Sequence, residues 1–155
     1  MNIHLIAATS KNNVIGNGLD IPWKVNGEQL LFKAITSHQW IIVGRKTFET
    51  MGLLPNRKTI VITRPLPDNP SVLHSESIDS ALNFLNGVAE QVFICGGGEI
   101  YKQTINKADY IHRSVIDINV DGDIFFPDMP PSFQLIYNQS FESNERYTYE
   151  IWKKT

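Results

Sequence analysis

The chain has 155 residues, 42% hydrophobic and 19% charged, with a formal net charge of -2. A chain of this length and composition reads as one globular domain, residues 1–155, able to bury about two-thirds of its unfolded surface. The near-neutral charge without a basic block argues against a nucleic-acid partner, and no apolar run is long enough to cross a membrane. The single cysteine, Cys95, has no internal disulfide partner and fits a reducing compartment, so the cytoplasm is the expected location.

In chain order, Ile3 to Ala8 reads as a buried strand. A glycine- and proline-containing loop follows, with Val14, Ile15, Gly16, Asn17, Gly18, Leu19, Asp20, Ile21, Pro22 and Trp23. Its apolar residues and paired glycines suit either an ordinary loop or a lid over a flat ligand. Asn26 to Ile35 reads as a helix whose apolar face runs through Leu31, Phe32 and Ile35. Glu28 precedes these by three, four and seven positions, so its carboxylate shares the apolar face. Desolvating it is costly unless something pairs with it. Two explanations stay open from spacing alone. Glu28 is a first-turn acid favoured by the helix dipole, with Asn26 and Gln29 as a capping box, or it waits for a ligand.

Trp40 to Val43 reads as a strand, Lys46 to Met51 as a short helix, and Thr59 to Thr63 as a strand. Arg64 to Pro70 is a proline-rich loop. Ile78 to Leu85 is a helix, Gln91 to Cys95 a strand, Glu99 to Ile105 a helix and Tyr110 to Asp117 a strand. The tail segments Ile124 to Phe126, Gln134 to Ser140 and Tyr147 to Lys153 look like strands joined by turns. A βαβ series with a largely antiparallel finish is the expected architecture.

Three strand ends carry phosphate-friendly chemistry. Cys95 is followed by Gly96-Gly97-Gly98 and a helix, which lets backbone N–H groups approach an anion. Val43 is followed by Gly44-Arg45-Lys46-Thr47, two cations and a hydroxyl at a helix start. Thr63-Arg64 ends a third strand. Each feature alone also fits tight packing or a solvated turn. Together they suit a dinucleotide at the carboxyl ends of the strands. The four histidines show no ligand spacing, so no metal is expected, and no nucleophile–base pair is evident.

These features, in this order, resemble the dihydrofolate reductase family. The match is carried by Ile6-Ala7-Ala8, Val14-Ile15-Gly16, Ile21-Pro22-Trp23, Glu28, Phe32-Lys33, Gly44-Arg45-Lys46-Thr47, Pro55-Asn56-Arg57-Lys58, Gly96-Gly97-Gly98-Glu99-Ile100-Tyr101, Gly122-Asp123 and Phe126-Pro127. It spans essentially the whole chain, and Gly27 to Thr36 looks closest to the type I, trimethoprim-resistant bacterial enzymes carried on mobile elements. The resemblance implies a central eight-stranded, mixed, mostly parallel sheet flanked by four helices. It implies reduction of 7,8-dihydrofolate by NADPH in a monomer that also binds antifolates such as methotrexate.

The resemblance also distributes roles. Glu28 matches the active-site carboxylate, which pairs with the 2-amino group and N3–H of the pterin, and Ser114 matches a supporting hydroxyl. Ile6, Phe32, Met51 and Leu54 match the apolar substrate walls, and Arg57 the residue that forks onto the glutamate-tail carboxylate. Ala8, the loop residues Ile15 to Ile21 and Tyr101 match contacts around the nicotinamide. Arg45, Lys46, Thr47, Thr63, Arg64, Cys95, Gly96, Gly97, Gly98, Glu99, Ile100 and Gln103 complete the implied cofactor site, with a cis Gly96–Gly97 peptide. The immediate proton donor to N5 is implied to be a water beside the Ile21 loop. Two departures stand out: Glu99 where many family members carry arginine, and Glu76 where some carry a base. A pterin- or flavin-precursor reductase of the same fold, and a non-catalytic nucleotide-binding module, are the competing readings.

Overall fold

The computed structural model describes residues 1–16, 25, 27–68 and 70–155. Its elements run β1 (Asn2–Ser10), β2 (Val14–Gly16), α1 (Glu28–Thr36), β3 (Trp40–Gly44), α2 (Arg45–Met51), β4 (Lys58–Ile62) and β5 (Leu73–Ser75). They continue with α3 (Ile78–Leu85), β6 (Gln91–Ile94), α4 (Gly98–Thr104), β7 (Tyr110–Ile116), β8 (Ile124–Phe125), β9 (Phe133–Phe141) and β10 (Tyr147–Lys154). Eight strands form one sheet in the order β5-β4-β3-β6-β1-β7-β10-β9. The pairs from β5 through β7 are parallel, and β10 pairs antiparallel with both β7 and β9.

The interior strands are apolar on both faces because helices cover both faces. Ile41, Ile42 and Val43 in β3 and Val92 and Ile94 in β6 have no accessible surface. Full burial of such a side chain is worth about 1.5–3 kcal/mol each. Alternation then splits the core. One cluster, including Leu5, Ile42, Leu85, Ile94 and Ile111, packs under α3 and α4. A smaller one, Ile6, Ile41 and Phe93, packs under Phe32 and Ile35 of α1. Helix α3 occupies the residues its periodicity predicts, with the Ser77 hydroxyl accepting from the Ser80 N–H at 3.0 Å.

Three local expectations change. Strand β2 lies in the segment expected to be loop, and β5 lies where no element was expected, because three residues carry too little periodicity. The segment at Ile124 pairs with β2 in a separate two-stranded sheet instead of joining the antiparallel finish. Helix α1 begins at Glu28 with Gly27 as its N-cap and no side-chain cap, so an Asn26–Gln29 capping box is out of register. Asn26 itself lies outside the described residues.

Candidate active site

The site is built on the α1 side of the sheet. Residues two apart on one strand share a face, and directly paired residues on neighbouring strands share it too. Ile6 and Ala8 of β1 therefore lie beside Ser114 of β7, which pairs with Ala8, and Ser114 pairs in turn with Tyr149 of β10. Helix α1 covers this surface. Phe32 and Ile35 pack with Met51, Leu54 and Cys95 against Ile6, Ile41 and Phe93. All four expected apolar walls, Ile6, Phe32, Met51 and Leu54, thus meet in one cluster. They come from β1, α1, α2 and the loop after α2, up to 48 positions apart, which sequence adjacency alone does not reveal.

Glu28 opens α1 at the edge of that cluster. It is half-buried, and no cation among the described residues stands within ion-pair distance. Burial raises its pKa above the ordinary glutamate value. Its charge also contributes to raising the tyrosyl pKa values of Tyr101 and Tyr147. Gly27 holds φ +92°, and a Cβ built there would lie 3.1 Å from the Tyr147 hydroxyl oxygen. Sequence reading missed Tyr147. Its signal was present in the alternation of Tyr147 and Tyr149 on a predicted strand, which puts both on the face of Ser114.

Arg57 precedes β4. Its Nε donates to Thr36 Oγ1 at 3.2 Å, and its two terminal nitrogens donate to the backbone carbonyls of Pro55, at 2.6 Å, and Lys33. The guanidinium is thereby fastened to the C-terminal end of α1, opposite Glu28 along the same helix. No carboxylate among the described residues pairs with it.

The glycine turn joins the ends of two strands. Cys95 N–H donates to Ile42 O at 2.9 Å and Gly44 N–H to Gly96 O at 2.8 Å, so β3 and β6 end side by side. The Gly96–Gly97 peptide is cis. The Tyr101 hydroxyl donates to Ile6 O at 2.6 Å, tying α4 to β1. A Cβ at Gly97 would lie 2.8 Å from Thr47 Oγ1, and one at Gly98 only 2.6 Å from Ile124 Cγ2. Side chains there would fill the cradle. Burial raises the Cys95 thiol pKa, which leaves it an inert wall residue.

The remaining expected cofactor residues that the structure describes fall into four groups. Lys46 is exposed and Thr47 half-buried at the start of α2, whereas Arg45 is held by Glu49 at 2.8 Å on the helix surface. Thr63 and exposed Arg64 follow β4, and Arg64 reaches the backbone carbonyl of Glu76 at 3.4 Å. On α4, Ile100 is buried in the core while Glu99 and Gln103 are exposed. Ile15 and Gly16 lie in β2, with Ile15 Cδ1 3.8 Å from the Cβ position of Gly98. Asn17, Gly18, Leu19, Asp20, Ile21 and Trp23 lie outside the described residues.

Comparison with known proteins decides among the reductase readings. The family model described as dihydrofolate reductase matches residues 2–154. The chain belongs to the dihydrofolate reductase family. Within that family it is 55% identical over 156 residues to the Proteus mirabilis protein named dihydrofolate reductase type 6, with 99% of each chain covered. It is 53% identical to the Escherichia coli type 1 protein, again covering 99% of each. A dihydrofolate reductase from Haemophilus influenzae is 35% identical, covering 97% of this chain and 94% of that one. Among solved structures, Enterococcus faecalis dihydrofolate reductase complexed with NADP(H) and RAB-propyl superposes with a TM-score of 0.92 at 28% identity, covering 99% of this chain and 96% of that one.

Proposed function

We propose that Glu28 is the residue around which this chain reduces 7,8-dihydrofolate to tetrahydrofolate with NADPH. The observation that carries the reading is a half-buried carboxylate with no cation in ion-pair distance among the described residues, set at the edge of an apolar cluster of Ile6, Phe32, Met51 and Leu54. A flat heterocycle with a donor edge answers both features. Its rings take the apolar walls, and its 2-amino and N3–H groups offer the carboxylate two charge-assisted hydrogen bonds. Ser114, buried two positions beyond His112 on β7, supports that edge. Arg57 takes a carboxylate of the glutamate tail at the far end of α1.

The residues at the strand ends fit NADPH. The cradle of Gly96, Gly97 and Gly98, which a Cβ would fill, admits backbone close to a ligand. Lys46 and Arg64 supply positive charge for phosphates, although Glu99, which follows the glycine turn, and Glu76, whose backbone carbonyl accepts from Arg64, bring opposing charges. When bound, the cofactor supplies the hydride. The protein's part is to orient two rings face to face, exclude water from the apolar cluster and polarise the pterin through Glu28. Glu28 holds the pterin edge opposite the reacting carbon, so the proton gained at N5 comes from solvent.

The enzyme works as a cytoplasmic monomer; the lone, reduced Cys95 supports the location. The likeness to type 1 and type 6 reductases supports insensitivity to trimethoprim. One added methylene at Glu28, relative to aspartate, moves the carboxylate that any diaminopyrimidine must reach. That is discrimination by a difference of affinities. The direct test follows NADPH oxidation at 340 nm on adding dihydrofolate, with and without trimethoprim. Dihydrofolate-dependent oxidation that persists at micromolar trimethoprim is expected. No absorbance change would overturn the activity, and low-nanomolar inhibition would overturn the resistance.

A further inference from the structure

The carboxylate of Glu28 stands where the start of α1 puts it. That start is Gly27, which holds φ +92° and makes no side-chain cap. Its carbonyl accepts from the Leu31 N–H at 3.1 Å, so the helix is wound from this residue onward. A left-handed residue here fixes the direction in which Glu28 leaves the backbone. What stands against Gly27 is the phenol of Tyr147, since a Cβ built on the glycine would lie 3.1 Å from the phenol oxygen. A side chain at position 27 would push the phenol, the helix start or both.

Tyr147 is itself firmly held. It is 4% exposed. On β10 it pairs with Ile116 of β7 and Phe141 of β9, and its ring stacks on that of Phe141 at a centroid distance of 5.1 Å. The sheet therefore fixes the ring and carries its hydroxyl to the start of α1. Two other phenols are committed elsewhere. Tyr149, two positions along the same face, meets His112 Nδ1 at 2.6 Å, and Tyr101 donates to Ile6 O at 2.6 Å. Tyr101 and Tyr147 both feel the Glu28 charge, and Tyr147 is the one lodged against Gly27.

We propose that Tyr147 is a positioning residue for the reduction: its hydroxyl, wedged against the glycine that opens α1, holds the helix start and so sets where the Glu28 carboxylate stands when the pterin edge arrives. The phenol oxygen is also a polar group in surroundings that otherwise desolvate Glu28. Removing it leaves the carboxylate in a more apolar setting, which favours the protonated form. Protonation gives up one of the two charge-assisted contacts to the pterin. Tyr147 thus acts through Glu28, and this role rests on Glu28 as the carboxylate that holds the pterin.

The test follows the Glu28 carboxylate directly, by carbon NMR titration of glutamate-labelled protein, with the Glu28 signal assigned by its loss in Glu28→Gln. Tyr147→Phe moves the Glu28 midpoint further above the ordinary glutamate value. Single-turnover hydride transfer at neutral pH falls about fivefold, the loss expected when one ordinary hydrogen bond's worth of positioning is removed. NADPH affinity stays unchanged, because β7 and β1 separate β10 from β6 and its glycine turn. A tyrosine with a purely structural part would lower the urea midpoint and leave the titration in place. Gly27→Ala supplies the second measurement. Its Cβ meets the Tyr147 oxygen, so the loss of hydride transfer it causes is smaller in the Tyr147→Phe background than in wild type. An unshifted Glu28 midpoint in Tyr147→Phe, or losses that multiply independently in the double variant, would overturn the proposal. Wild-type hydride transfer in Glu28→Gln would bring down the pterin reading and Tyr147 with it. A loss of about a hundredfold in Glu28→Gln with no shift in Tyr147→Phe counts against Tyr147 alone.

Discussion

Acid should weaken this protein through a pair of histidines that the chemistry does not use. His4 Nδ1 lies 3.0 Å from His112 Nε2, and His112 Nδ1 lies 2.6 Å from the Tyr149 hydroxyl. His4 is stacked between Phe93 and Tyr110, at centroid distances of 4.5 and 4.8 Å. Burial, with a smaller contribution from His4, lowers the His112 pKa from 6.5 to about 4. Burial also lowers that of His4. Between about pH 6.5 and 4 the unfolded chain binds the His112 proton that the native state refuses, so stability falls as pH falls. From pH 7.5 to 5 the linkage relation gives a loss of about 2 kcal/mol from His112 alone. Glu28, whose pKa is raised, contributes with the opposite sign around the carboxylate range, and it cancels when two variants are compared. Urea unfolding of wild type and His112→Gln at both pH values isolates the effect. Wild type should lose about 2 kcal/mol more than the variant on acidification. Identical losses would refute the reasoning.

Gly27→Ala should cost about 1–2 kcal/mol, because a left-handed φ of +92° is imposed on a residue with a Cβ and that Cβ crowds the Tyr147 hydroxyl at 3.1 Å; the urea midpoint reads it. Phe126→Ala should cost about 3–5 kcal/mol, since Phe126 is 2% exposed and packs against Tyr101 at a centroid distance of 5.0 Å; thermal or urea unfolding checks it. Gly98→Val should weaken NADPH binding at least tenfold, because its Cβ position is already 2.6 Å from Ile124 Cγ2 and the turn must shift; fluorescence titration with NADPH measures it, and an unchanged Kd would contradict the cradle.

The parallel half of the sheet was legible because its strands are short apolar runs closed by glycine or proline and separated by helical periodicity. Ile78 to Leu85 was legible to the residue, since Ser77 caps it and Ile78, Ala81 and Leu85 repeat on one face. Strands β2 and β5 were not, because their identity lies in partners 111 and 13 positions away, Phe125 for Val14 and Ile60 for Leu73. At the site, Glu28 was legible as an acid on an apolar face, and Gly96-Gly97-Gly98 as a close-approach turn. Tyr147 at the start of α1 was not, because it arrives there through β10 pairing with β7. The His4–His112–Tyr149 chain was hidden for the same reason. Metal-like spacing was absent, and hydrogen bonding across three strands leaves no local pattern. For Arg57 the sequence offered a role only through the family likeness and no placement; its fastening to Thr36 and Lys33 shows how one guanidinium is held at the end of α1.

The central claim, that Glu28 is the carboxylate that holds and polarises the pterin, is tested most directly by the single-turnover hydride-transfer rate of Glu28→Gln against pH. Loss of a two-point charge-assisted contact of about 3 kcal/mol predicts a rate lower by about a hundredfold at neutral pH. It also predicts a profile without the fall expected of wild type as pH drops through the raised Glu28 titration and the carboxylate takes up a proton. A variant with the wild-type rate and the wild-type profile would contradict the account.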